Sequence, residues 1–164
     1  MPRLARIQIY PIKSLDGLAV DEAVMLASGG LQHDRRFALV DTAGNFINGK
    51  RNAVVHRLRV HYDLAAWHAV FRAEENGLER GFHLERDSAA LRTWLSDYFG
   101  QQLDLLENTE GGMPDDLEAP GPTVISTSTL QAVSTWFSGL DVDAVRQRFR
   151  ANLELSDTEA FWED

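Results

Sequence analysis

Cysteine is absent from this 164-residue chain. Its absence excludes disulfides, zinc ribbons, iron–sulfur ligation, thiol nucleophiles and any thiolate bond to a soft metal. Positive charge is scarce: sixteen Lys and Arg stand against twenty-five Asp and Glu, a formal net charge of −9. Generic attraction to nucleic acid or anionic lipid is thereby disfavoured, so neither is an expected partner and any anion site has to be local. No window approaches the roughly 18 apolar residues of a membrane span. Residues 1–10 alternate polar with apolar instead of forming the continuous apolar core of a signal peptide. A reducing cytoplasm is the expected location. The GxSxG elbow, the Walker A loop, GxGxxG and HExxH are missing too, as is any internal repeat.

What is present is an ordinary globular composition, 44% apolar and 25% charged, which suits one domain, or one domain with an appendage, burying about 70% of its unfolded surface. In residues 1–10, Ala5, Ile7 and Ile9 alternate with Leu4, Arg6, Gln8 and Tyr10, the period of a half-buried strand that ends at Pro11. Further strands are predicted over 22–27, 37–40, 57–64 and 67–73, with Asn76-Gly77 turning the chain toward Phe82 and Leu84. From Asp87 the period becomes helical, with Ala90, Leu91, Trp94, Leu95, Tyr98 and Phe99 on one face and Gly100 as the stop. A strand follows near 103–106. Residues 108–122 are rich in Gly, Pro and acids without apolar periodicity and read as a flexible connector.

Beyond it, 123–125 reads as a strand, and the Ser/Thr run 126–129 caps a helix carrying Leu130, Val133, Trp136 and Phe137. Asp141 or Asp143 begins a second helix, and 152–155 is a last strand. Phe161 and Trp162 then leave apolar surface with no later segment to cover it, so the end reads as unfinished. The predicted class is mainly β with a few helices.

Five histidines, His33, His56, His61, His68 and His83, lack compact metal-ligand spacing, and no metal site is expected. Asp115-Asp116 reads as a solvated linker or, less simply, a divalent-cation site. Four clusters at element ends remain. Lys13-Ser14 pairs a point charge with a hydroxyl donor, suited to a phosphate oxygen, or is an exposed turn. In Arg35-Arg36, alternation toward Phe37 predicts one arginine inward, balanced by an anionic ligand or by a carboxylate such as Asp34. Ser126, Thr127 and Ser128 at a helix start form an anion receptor or ordinary caps. Arg150 and Asn152 share a strand face, as part of a pocket or of a salt-bridge ladder. A convergent phosphate pocket would unify all four.

These residues carry a resemblance. Ile9-Tyr10-Pro11-Ile12-Lys13-Ser14-Leu15, Val20-Asp21-Glu22-Ala23, Gly30-Leu31-Gln32-His33-Asp34-Arg35-Arg36-Phe37-Ala38-Leu39-Val40-Asp41 and Gly44-Asn45-Phe46 resemble the N-terminal β-barrel domain that accompanies MOSC domains. Gly121-Pro122 through Leu130, and Arg148-Phe149-Arg150-Ala151-Asn152-Leu153, resemble the opening of the MOSC domain itself. The resemblance implies a barrel-like domain over 1–107, the acidic connector over 108–122 and an incomplete MOSC segment over 123–164.

Family members include the amidoxime-reducing components and related bacterial reductases. They bind the pterin molybdenum cofactor and reduce N-hydroxylated compounds. The resemblance implies that Lys13, Ser14 and Arg35 contact the cofactor's phosphate and pterin, with Ser126, Thr127, Ser128, Arg150 and Asn152 forming the other wall. Two departures bear on this. The family's metal-ligating cysteine, well downstream of its Arg-Phe-Arg-Pro-Asn motif, has no counterpart, so only the pterin phosphate part of the cofactor is expected to be held. Ala151 replaces the motif's proline, loosening the backbone between Arg150 and Asn152. The implied function is the N-terminal portion of a molybdenum-cofactor oxidoreductase, inactive alone, with a redox partner or the remaining MOSC segment as its partner. The alternatives are a stand-alone module for a phosphorylated small ligand and a non-catalytic interaction domain.

Overall fold

The computed structural model describes residues 1–163. Its elements in chain order are β1 (Arg3–Ile9), β2 (Leu18–Val20), β3 (Phe37–Asp41), β4 (Leu58–Asp63), β5 (His68–Ala73), β6 (Glu79–His83), α1 (Ser88–Phe99), β7 (Leu103–Glu107), β8 (Val124–Ser126), α2 (Thr127–Ser134), α3 (Val142–Phe149) and β9 (Leu153–Ser156), with a 3-10 turn at Ala53–Arg57 before β4. The fold is mainly β with helices added, as the alternating patterns predict. Three sheets have the orders β2-β1-β9-β8, β3-β7 and β4-β5-β6. Only β8–β9 pairs in parallel; the other strand pairs are antiparallel.

Side-chain periodicity explains the packing. In β4, Leu58, Val60 and Tyr62 point inward while His61 and Asp63 face solvent. Their register partners Ala73, Phe71 and Ala69 fall on the same inner face. Helix α1 buries Leu91, Leu95 and Phe99, spaced by four, and Trp94 lies 5.8 Å from Phe71 and 6.1 Å from Phe82 between ring centroids. These residues, with Ile12, Leu15, Phe37, Leu39 and Leu103, form the main core. A smaller core of Ile125, Leu130, Val133 and Val145 joins β8, α2 and α3. Strand β1 lies between β2 and β9, with Arg6 opposite Glu154 and Ile7 opposite Leu153, so the two ends of the described chain share one sheet.

Several local expectations need correction. Residues 22–27 form no strand: a single Met25–Leu31 bridge closes them into a tight loop turned at Gly29. The strand on that side of β1 is instead Leu18–Val20. Helix α2 stops at Ser134, where Thr135 and Trp136 donate to Ala132 and Val133 carbonyls in a tightened last turn. Trp136 and Phe137 therefore lie beyond the helix and are exposed. Both Arg35 and Arg36 are half-buried, because Arg35 has φ 48° and strand alternation begins only at Phe37. Arg150 is the left-handed C-cap of α3, φ 55°, so strand alternation does not set its direction relative to Asn152. Finally, residues 108–115 are docked, not loose: Asn108 N–H donates to Arg36 O at 2.8 Å and Met113 N–H to Arg35 O at 2.9 Å.

Candidate functional site

Proline at position 11 cannot extend the ladder of β1, and the chain after Ile9 runs instead beside residues 35–37. Arg35 N–H donates to Tyr10 O at 2.7 Å, Phe37 N–H to Pro11 O at 2.9 Å and Lys13 N–H to Phe37 O at 2.8 Å. Asp34 fastens the pair: one carboxylate oxygen accepts Tyr10 N–H at 2.8 Å, the other accepts Arg35 Nη1 at 2.5 Å. Ser14 then takes a left-handed turn, φ 71°. Gly17 returns past the Tyr10 ring so closely that a Cβ there would lie 2.6 Å from ring carbons. Tyr10 is thereby buried.

Arg150 comes to the same ring from the far end of the chain, its guanidinium carbon 4.1 Å from the Tyr10 centroid, with that of Arg35 at 5.9 Å. Among the described residues no carboxylate pairs with Arg150, and no hydrogen bond engages its side chain. Burial pulls its pKa below the usual arginine value, with Arg35 adding to the effect, while Tyr10 opposes it. The same burial raises the Tyr10 phenol, which therefore stays neutral. Three of the residues named from sequence, Ser14, Arg35 and Arg150, have positive φ without being glycine. Such backbone persists only where its surroundings hold it, and it concentrates at functional sites.

Asn152 is the staple behind this group. Its amide nitrogen donates to Gln8 O at 3.0 Å, and its oxygen accepts Thr123 N–H and Oγ1, both at 3.2 Å, and Arg35 Nη1 at 3.4 Å. Lys13 is buried, and its ammonium donates to Met113 O at 2.9 Å and Pro114 O at 3.2 Å and pairs with Asp115 at 2.8 Å. That bond, before the opposing effect of burial, holds the Asp115 carboxyl below the usual range. Asp115, read from sequence as linker or metal ligand, is the counter-ion of a lysine. Asp116 instead caps the turn at Glu118.

A cleft of about 1220 Å³ opens beside these groups, with Lys13, Ser14 and Arg150 among its lining residues. Five Lys or Arg side chains and two Asp line it in all, in a chain of net charge −9. Arg59 is already paired with Asp16 at 3.2 Å. Lys13, Ser14 and Arg150 thus share a cleft, whereas Arg35 and Asn152 do not line it and join the group through the Tyr10 ring and the Arg35–Asn152 bond. Ser126, Thr127 and Ser128 are not among the lining residues. Ser126 caps its own helix through Thr129 N–H at 2.9 Å while its own N–H goes to Glu163, Thr127 bonds Glu154 at 2.9 Å, and Ser128 bonds Thr158 O at 2.6 Å. The Ser126, Thr127 and Ser128 hydroxyls and the Thr129 N–H are therefore engaged within the chain.

Sequence reasoning missed Tyr10 and Asp115 as parts of this site. Tyr10 lies within the quoted Tyr-Pro-Ile-Lys-Ser stretch but its pattern says only strand end; nothing in the acidic connector marks Asp115. Among the described residues no group of three His, Asp or Glu is placed to hold a metal, and no helix is long and apolar enough to cross a membrane.

The chain has no match among curated proteins. A family model for the MOSC N-terminal beta barrel domain matches residues 1–140, so the strand-and-turn frame that carries Lys13, Ser14 and Arg35 is that family's, and the chain belongs to it.

Proposed function

We propose that this chain holds the phosphate and pterin end of the molybdenum cofactor as the N-terminal portion of a cytoplasmic MOSC-family oxidoreductase. The observation that carries the reading is Arg150: a half-buried guanidinium stacked on Tyr10, lacking a carboxylate among the described residues, at a cleft shared with Lys13 and Ser14. A cation so placed is costly unless an anion completes it. The fit to a phosphate is good on donor chemistry, since Arg150 offers a planar fork, Ser14 a hydroxyl and Lys13 an ammonium. Arg35 and Asn152 hold the frame, with Asp34 already neutralising Arg35. Ser126, Thr127 and Ser128 are left out, because their hydroxyls are engaged elsewhere.

When bound, the cofactor supplies the redox chemistry; these residues supply binding and orientation. None of the 164 residues offers a thiolate to the metal, so the role proposed for this chain is confined to the organic anion.

Thermal melts in inorganic phosphate and in chloride of matched ionic strength test the reading. A ligand at a hundred times its Kd raises stability by about 2.7 kcal/mol. Phosphate should raise the melting temperature of the natural chain, and Arg150→Ala should weaken binding about tenfold or more, the loss of one charge-assisted contact. Arg92→Ala, far down the surface of α1, should leave it unchanged. Coincident melts in the two salts would remove the proposal and favour an interaction domain whose Lys13–Asp115 and Arg35–Asp34 pairs are purely structural.

A further inference from the structure

The Lys13 ammonium has three protons, and the segment 113–115 takes all of them: two go to backbone carbonyls and one to the Asp115 carboxylate. The two kinds of partner differ in mobility. The carbonyls belong to backbone fixed by Met113 N–H on Arg35 O and by Asn108 Nδ2 on Gly112 O at 2.7 Å. Gly112 itself, φ 66°, sits so close to the Asp34 carbonyl that no Cβ fits. The Asp115 side chain, by contrast, is 79% exposed while that of Lys13 is 9% exposed, so the carboxylate swings out at little cost and the ammonium stays.

Charge counting turns this into selectivity. In the group around Tyr10, Lys13, Arg35 and Arg150 bring three positive charges and Asp34 and Asp115 two negative, leaving one net positive charge with Asp115 in place and two with it displaced, to which Lys50 and Arg148 elsewhere on the cleft add. We infer that Asp115 is a built-in competitor for the Lys13 ammonium, which an incoming anion must displace, and that it sets the balance between dianions and monoanions at this site. The inference rests on the anion-binding role proposed above and adds the residue that tunes it. Breaking the Lys13–Asp115 pair costs the same for any anion, but the displaced carboxylate stays tethered at the rim, and its residual repulsion is twice as strong for a dianion as for a monoanion. Removing that charge should raise affinity for both anions, and more for the dianion.

The test is calorimetric titration of the natural chain, Asp115→Asn and Arg150→Ala with inorganic phosphate at pH 8 and with nitrate, at one ionic strength. Asp115→Asn should bind phosphate about fivefold tighter and nitrate about twofold tighter, the scale of one exposed ion pair. Arg150→Ala should weaken both. With Arg150→Ala still weakening binding, no gain in phosphate affinity for Asp115→Asn would overturn the competitor role, and an equal gain for both anions would overturn the charge discrimination; in either case the anion site stands. If none of the three proteins shows saturable phosphate binding, the proposed function falls and this inference with it. Asp115→Asn gives up the ion pair to Lys13 and should melt somewhat below the natural chain, so the titrations are run below both melting temperatures and a melt confirms that any change in affinity is not unfolding.

Discussion

Tyr10 and Asn152 show how single side chains hold distant basic residues in one place. The Tyr10 ring stands where an acidic partner would otherwise neutralise Arg150, and a π-face attracts a guanidinium without cancelling its charge. Tyr10→Phe should therefore keep phosphate affinity within about twofold, while Tyr10→Leu should lose about three- to fivefold, the worth of a partly desolvated cation–π contact. A purely packing role would leave affinity equal in the two variants once both are shown folded. Asn152 joins three stretches through one amide, bonded to β1, to Thr123 and to Arg35. Asn152→Ala should cost about 2–3 kcal/mol in urea denaturation, because it strands several buried partners at once. At this scale the sequence was informative where basic residues stand at element ends: Lys13, one of two lysines, follows the first strand, and Arg35 and Arg150 flank Phe37 and Asn152. It was silent on Tyr10 and Asp115, whose roles depend on contacts between distant stretches.

Elements were legible where their own periodicity decides them. Helix α1 buries Leu91, Leu95 and Phe99 and ends at Gly100, and β4 alternates, because in each the apolar face is set by the residues themselves. Elements whose limits depend on a neighbour were not. Residues 22–27 have strand composition but find only one bridge, and α2 stops before Trp136 where its last turn tightens. The docking of 108–115 was hidden for the same reason, since its bonds are backbone bonds to Arg35 and Arg36. Gly112 is the position that makes this docking possible. Gly112→Ala should destabilise by about 2 kcal/mol or more, from left-handed backbone and the clash with the Asp34 carbonyl. It should also raise hydrogen exchange at Met113 N–H; protection equal to that of the natural chain would show that the segment is held some other way.

For the molecule as a whole, acidity and a cationic cleft pull in opposite directions, and pH exposes the tension. Burial pushes the Glu154 carboxyl up, but bonds from Arg146 at 2.6 Å and from Thr127 bring it below its usual value, and Asp115 is lowered by Lys13. Groups whose folded pKa lies below the unfolded one stabilise the fold at neutral pH. That contribution fades as the pH falls from the ordinary carboxylate range, about 4, through the depressed values. Melting temperature should thus drop steeply below about pH 4, and Glu154→Gln should flatten that limb while lowering stability at pH 7 by about 2 kcal/mol; parallel pH profiles for the two proteins would exclude Glu154 as a source. The join of β1 to β9, which sets Arg150 and Asn152 against Tyr10 and Arg35, is what makes one site out of sequence ends. Crystals soaked in tungstate, a dense phosphate-like dianion, test that site most directly. The account predicts one anion bonded to Arg150 and Ser14, with Asp115 swung away from Lys13. Crystals with no anion there, and with Arg150 instead gripping a carboxylate of its own chain, would contradict it.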